Sequence, residues 1–131
     1  MNGIDFLADT NAVLYLLSGN HCMEPYRSNR FAVSIISVME LLSFPNITPK
    51  EETIIRQFLS TCQQIPLNEK ITEAAIHLRR EHHTKLPDAI IAATAVCNEL
   101  TLLTADTGFS KINELSLVSI QPLIIDYQSG E

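Results

Sequence analysis

Four carboxylates stand at the edges of apolar runs: Asp9 closes Ile4-Asp5-Phe6-Leu7-Ala8, Glu40 sits in Met39-Glu40-Leu41-Leu42, Asp88 opens Pro87-Asp88-Ala89-Ile90-Ile91-Ala92, and Asp106 follows Leu102-Leu103-Thr104-Ala105. Their chain order would let all four reach one edge of a parallel sheet. Like charges in one low-dielectric cleft repel, so such a grouping calls for a counter-charge. A hard cation such as Mg2+ or Mn2+ takes oxygen ligands and would supply it.

Each acid also has a plainer reading. Asp9 directly after a strand is a good N-cap for the following helix, Asp88 can cap its helix or lie in its first turn, and Asp106 can cap the turn at Thr107. Ser37 and Glu40 have the Ser-x-x-Glu spacing of a capping box. What favours a shared site is convergence, because independent caps have no reason to point into one crevice. Thr10, Asn11, Ser37 and Thr104 flank the acids and would serve as outer partners of a metal's ligands, or only satisfy turn backbone groups. Lys85, three residues before Asp88, reads as a solvated lysine more readily than as a phosphate contact. His77 and Glu81 have an i, i+4 spacing, yet His77, His82 and His83 lie on or after a polar helix face and give no convincing metal site.

The elements that position these residues follow from periodicity and punctuation. Residues Ile4 to Ala8, Phe31 to Ile36, Thr101 to Thr104 and Leu117 to Ile120 read as strands, with Gln64-Ile65-Pro66-Leu67 a weaker, Pro-terminated edge strand. Helices are expected from Ala12 to Leu17, from Ser37 as N-cap to Leu42, after Thr48-Pro49, from Asn68 through His83, and from Lys85-Leu86-Pro87-Asp88 to Cys97. The last is apolar nearly all round from Ala89 and so belongs at the centre. Thr107 to Ile112 reads as a short helix or turn. Alternating strands and helices imply right-handed crossovers and an α/β fold, a three-layer α/β/α sandwich around a mainly parallel sheet of about five strands. In such sheets, ligands bind beyond the carboxyl ends of the strands.

Composition sets the bounds. The 131 residues, 46% hydrophobic and 18% charged, fit one globular domain spanning 1–131 with no linker or repeat. A net charge of −6 argues against a broad basic surface for nucleic acid, so any polyanion must be met locally, and a basic protein partner would find the field attractive. Cys22, Cys62 and Cys97 are odd in number and far apart, which speaks against disulfide or zinc frameworks and for a reducing cytoplasm. Cys97 reads as a small core residue. No basic leader precedes Ile4 and no apolar run approaches the roughly 20 residues that span a bilayer, so a cytoplasmic protein without membrane attachment is expected.

The blocks Leu7-Ala8-Asp9-Thr10-Asn11, Ser37-Val38-Met39-Glu40-Leu41, Leu86-Pro87-Asp88-Ala89-Ile90-Ile91-Ala92-Ala93-Thr94-Ala95 and Leu103-Thr104-Ala105-Asp106-Thr107-Gly108-Phe109 resemble the four motif blocks of PIN-domain nucleases. The likeness runs from about Ile4 to Ile120 and is greatest to the VapC-like toxins of toxin–antitoxin pairs. It implies an endoribonuclease dependent on Mg2+ or Mn2+, with Asp9 and Asp88 as main metal ligands and Glu40 and Asp106 completing the cluster or orienting the attacking water. It also implies an RNA substrate, a cognate antitoxin with a basic tail, and, by analogy, a homodimer. Thr104 matches the small hydroxyl residue often found before the last acid. Thr107-Gly108 departs from the polar or charged residues common there, and few basic residues flank the site.

Two rivals belong to other classes. One is a catalytically silent PIN-like module that binds RNA or protein. The other is an acid-cluster phosphoryl-transfer protein, but a receiver needs an acidic pair after strand one and an acceptor Asp after strand three, where Ile65-Pro66-Leu67 has none. Haloacid-dehalogenase-like phosphatases need Asp-x-Asp, and Asp9-Thr10-Asn11 lacks it.

Overall fold

The computed structural model describes residues 3–122 of the chain. Strand β1 (Phe6–Ala8) lies between β2 (Phe31–Ser34) and β4 (Thr101–Thr104); β3 (Gln63–Ile65) and β5 (Leu117–Ser119) form the edges, giving the order β3-β2-β1-β4-β5. Every pairing is parallel, with Leu7 beside Ala32 and Leu102, and Ala8 beside Leu103. The expected α/β/α sandwich is therefore observed, with an all-parallel sheet.

Alternating side chains feed two cores, as the two-residue period of a strand requires. Leu7, Ala32 and Leu102 enter one apolar cluster, whereas Ala8, Val33 and Leu103 enter the other. On the first face lie α4 (Glu69–His82) and α5 (Leu86–Cys97), and on the second α1 (Thr10–Leu17) and α3 (Pro49–Thr61) contribute Val13, Ile55 and Leu59. Helix α5 buries every residue from Ala89 to Ala95, the central position expected of a helix apolar all round. Each fully buried aliphatic side chain stabilises the fold by about 1.5–3 kcal/mol.

Local chemistry explains most boundaries. Thr48 and Glu51 cap α3 reciprocally, with Pro49 in its first turn, and Asn68 caps α4 by accepting from the Ile71 N–H. The second expected strand is shorter than its apolar run suggested. Ser34 accepts from the Ile36 N–H and starts helix α2 (Ile35–Leu42), so Ile35 and Ile36 are helical. Ser37 is consequently not an N-cap, and the Ser37–Glu40 capping box does not form. β1 and β5 are also trimmed at their ends. A 3-10 turn at His21–Tyr26, capped by Asn20, carries no sequence pattern strong enough to foresee. Cys22, Cys62 and Cys97 are all free, and Cys97 is half-buried at the margin of the core.

Candidate active site

The strand order reverses at β1, whose chain proceeds to β2 and β3 on one side while β4 and β5 lie on the other. Beyond the carboxyl ends of β1 and β4 such a reversal leaves a crevice. Asp9, the first residue after β1, occupies it and is 5% exposed. Its Oδ1 accepts from the Ala12 N–H at 2.8 Å, capping α1, and its Oδ2 accepts from the Thr104 hydroxyl. The cap and the site are thus one residue. Burial pushes the Asp9 carboxyl above its usual range; the bonds from Thr104 and Ala12 oppose that rise, and the charges of Asp106 and Asp88 add to it.

Asp106 comes from the other side of the crevice. It is exposed, accepts from the Gly108 N–H at 2.8 Å, and caps a 3-10 turn at Thr107–Lys111. Its own N–H donates to Thr104 Oγ1 at 2.9 Å, so Thr104 ties Asp106 to Asp9. Gly108 is understandable here, because a Cβ at that position would lie 3.1 Å from Asp106 Oδ1.

Glu40 projects from the second turn of α2, and Thr10 Oγ1 donates to its Oε1 at 2.5 Å. The hydroxyl oxygens of Thr10 and the fully buried Ser37 lie 3.0 Å apart, which fixes Thr10 from behind. Asp88 lies in the first turn of α5. It is neither a cap nor a strand-end residue, since α5 follows α4 directly and Lys85 stands at the N-cap. Burial again raises its carboxyl, the charges of Asp106 and Glu40 raise it further, and Lys85 and Lys111 pull it down.

All four acids line one cleft of about 400 Å³, together with Thr10 and Asn11 and an apolar rim that includes Phe44, Ile91 and Phe109. Sequence reasoning brought the acids together correctly, and Thr10, Ser37 and Thr104 do brace them, while Asn11 is exposed and only lines the rim. The direct Thr10–Glu40 bond and the Phe44 rim carried no recognisable signal. An all-oxygen, mutually repelling donor set suits a hard divalent cation. Among the described residues, no three His, Cys, Asp or Glu side chains already surround a common point that could hold a metal ion. The donors therefore match by chemistry and by shared cleft, without a preformed cage. His77 does not pair with Glu81; His77 and His82 face Glu114, at 3.9 and 3.0 Å, away from the acidic cleft.

Comparison with known proteins places this geometry in context. The PIN domain family model matches residues 6–115. A toxin–antitoxin complex from Klebsiella pneumoniae is similar, with 33% identity over 88% of this chain and 97% of that one and a TM-score of 0.76. VapBC2 from Rickettsia felis, bound to a promoter DNA fragment, is 23% identical over 88% and 98% of the two chains, with a TM-score of 0.77. DNA-bound VapBC from Salmonella typhimurium is 19% identical over 88% and 98%, with a TM-score of 0.79. The last two likenesses are of fold. No curated protein matches the chain.

Proposed function

Because this chain belongs to the PIN domain family, with the family model covering residues 6–115, we propose that it is a divalent-metal-dependent endoribonuclease and the toxin of a toxin–antitoxin pair. The observation that carries this reading is the meeting of Asp9, Glu40, Asp88 and Asp106, drawn from distant parts of the chain, in one cleft at the sheet's reversal.

Asp9 and Asp88 would hold the ion, with Glu40 and Asp106 completing the cluster. Held by these acids, Mg2+ or Mn2+ would supply the charge needed to activate water and polarise a phosphoryl oxygen at neutral pH. The chain's own part is to position and to exchange protons. Thr104 and the Ala12 amide fix both oxygens of Asp9, so that carboxylate meets its ligand without searching rotamers. Thr10 holds Oε1 of Glu40, leaving Oε2 as the oxygen free to orient a water and accept its proton. The four acids repel a bare phosphate, so RNA enters productively only when their charge is offset.

The acidic cleft and the net charge of −6 suit a basic antitoxin tail, and the Klebsiella relative is itself in a toxin–antitoxin complex. Homodimerisation is proposed by analogy. Among the described residues no helix is long and apolar enough to cross a membrane, and we place the protein in the cytoplasm on its cysteine usage. We read residues 1–131 as a single PIN-like domain.

The test is cleavage of total RNA by antitoxin-free protein with Mg2+, Mn2+ or EDTA, beside Asp9→Asn. Metal-dependent fragments absent in the variant support the nuclease. A silent RNA- or protein-binding module is the second reading, and it would be supported by a failure to bind divalent metal. Folded wild-type protein that cleaves no RNA with either metal would replace the nuclease by that module.

A further inference from the structure

One wall of the acidic cleft is not accounted for by the carboxylates. Phe44 lines the cleft together with Glu40 and Asp88 and is 40% exposed. The other phenylalanines, Phe6, Phe31, Phe58 and Phe109, are buried or half-buried, and among the described residues Phe44 pairs with no other ring. We propose that Phe44 is a stacking shelf for a base of single-stranded RNA, belonging to a nucleotide that adjoins the phosphate presented to the four acids. The inference rests on the nuclease reading for its substrate and deepens it by naming the residue that holds the base.

Three observations carry it. The first is position. Phe44 comes four residues after Glu40, just past the Ser43 C-cap of α2, so the end of one helix delivers both an acid and a ring to the same cleft. A phosphate held at the acids brings its neighbouring bases within reach of that ring. The second is rigidity. The Ile47 N–H donates to the Phe44 carbonyl at 3.3 Å, Pro45 takes the second position of the turn, and Asn46 takes the third with φ of 64°, the pattern of a type II turn. Ile47 packs against the core and Thr48 caps α3 directly afterwards, so the turn is anchored beyond the ring as well as before it. An aromatic side chain on such a support has two χ angles to fix, and ordering it costs little.

The third is chemistry. The cleft sets the Phe44 ring beside carboxylates and Asn11, and a nucleobase has the matching character, a flat face that stacks on an aromatic ring and polar edges that hydrogen-bond. Stacking also supplies affinity that needs no cation, in a chain of net charge −6. Because every base has such a face, the shelf adds affinity without selecting a sequence. An aliphatic side chain from a protein partner is better served by the adjoining groove, where Leu14, Leu17, Ile54 and Ile55 form the lining and none of the four acids takes part.

The experiment reads stacking apart from cleavage. The chain contains no Trp, so Phe44→Trp places a single indole at the shelf. This variant is titrated in Mg2+ with a short 2′-O-methyl oligoribonucleotide of mixed sequence, which resists cleavage, and with an abasic oligomer of the same backbone. The first is expected to quench the indole emission and the second to leave it unchanged. With a labelled oligonucleotide, Phe44→Ala is expected to bind about tenfold more weakly than wild type. Phe44→Tyr should match wild type, as should Ile54→Ala in the neighbouring groove. The abasic oligomer should bind wild type and Phe44→Ala alike. Unquenched emission on binding, or equal affinity of wild type and Phe44→Ala for the mixed-sequence oligomer, would overturn the proposal and leave Phe44 to a protein partner. Equal losses in Phe44→Ala and Ile54→Ala would overturn it too, as would a wild type that does not bind. Total-RNA cleavage run in parallel separates the two ideas: active wild type with unaffected binding in Phe44→Ala refutes the shelf alone, and a quenched indole beside a wild type that cuts no RNA refutes the nuclease alone.

Discussion

Thr104 donates its hydroxyl proton to Asp9 across 95 residues of chain, and the same oxygen accepts from the Asp106 N–H. The last motif block is thereby fastened to the first. Thr104 is fully buried, so its bonds face no competition from water.

Replacing Thr104 by Val keeps the shape and removes this link. The expected loss is about 10- to 100-fold in metal-dependent RNA cleavage, the range found when partners of metal ligands are removed. Thr104→Ser should restore most of it. Equal cleavage rates for Thr104→Val and wild type would show that Asp9 needs no such partner.

Stability should fall as pH rises through the site's titration. Asp9 and Asp88 have carboxyl groups raised by burial and by neighbouring acids, so the native state binds more protons than the unfolded chain. The stabilisation is fully present below the unfolded carboxylate pKa, near 3.9. It is lost as pH passes the raised folded values. Relative to wild type, Asp88→Asn is expected to gain in Tm toward neutral pH in metal-free buffer. Thermal melts across pH 4–7 check this, and a constant difference between the two proteins would contradict it.

Divalent metal should reverse that penalty. An ion that binds the folded state alone stabilises it by RT ln(1 + [L]/Kd), about 2.7 kcal/mol at a hundredfold excess over Kd. Mg2+ or Mn2+ is therefore expected to raise the Tm of wild type, with EDTA abolishing the gain. Asp9→Asn should show a much smaller rise. An identical rise in both proteins would place the ion elsewhere.

Thr10→Val frees Glu40 from its hydroxyl partner. The short Thr10–Glu40 bond holds one carboxylate oxygen in place, so its loss is expected to lower kcat about tenfold with less effect on KM. Steady-state cleavage of a mapped RNA would separate the two. A change confined to KM would assign Thr10 to substrate contact instead.

Much of this was legible in the amino-acid sequence because its causes are local. Apolar runs bounded by Gly, Pro and polar caps marked the strands and helices, Thr48-Pro49 announced α3, and a helix apolar from Ala89 onward could only be central. The four acids were visible as charges placed against apolar runs. Tertiary structure decided what depends on neighbours distant in sequence. Ser34 rather than Ser37 caps α2 because β2 is held to its sheet register only through Ser34, opposite Ile65, and that pairing is not written in the run Phe31–Ile36. Whether Asp9 was a cap or a site residue had no local answer, since its two oxygens serve Ala12 and Thr104 at once.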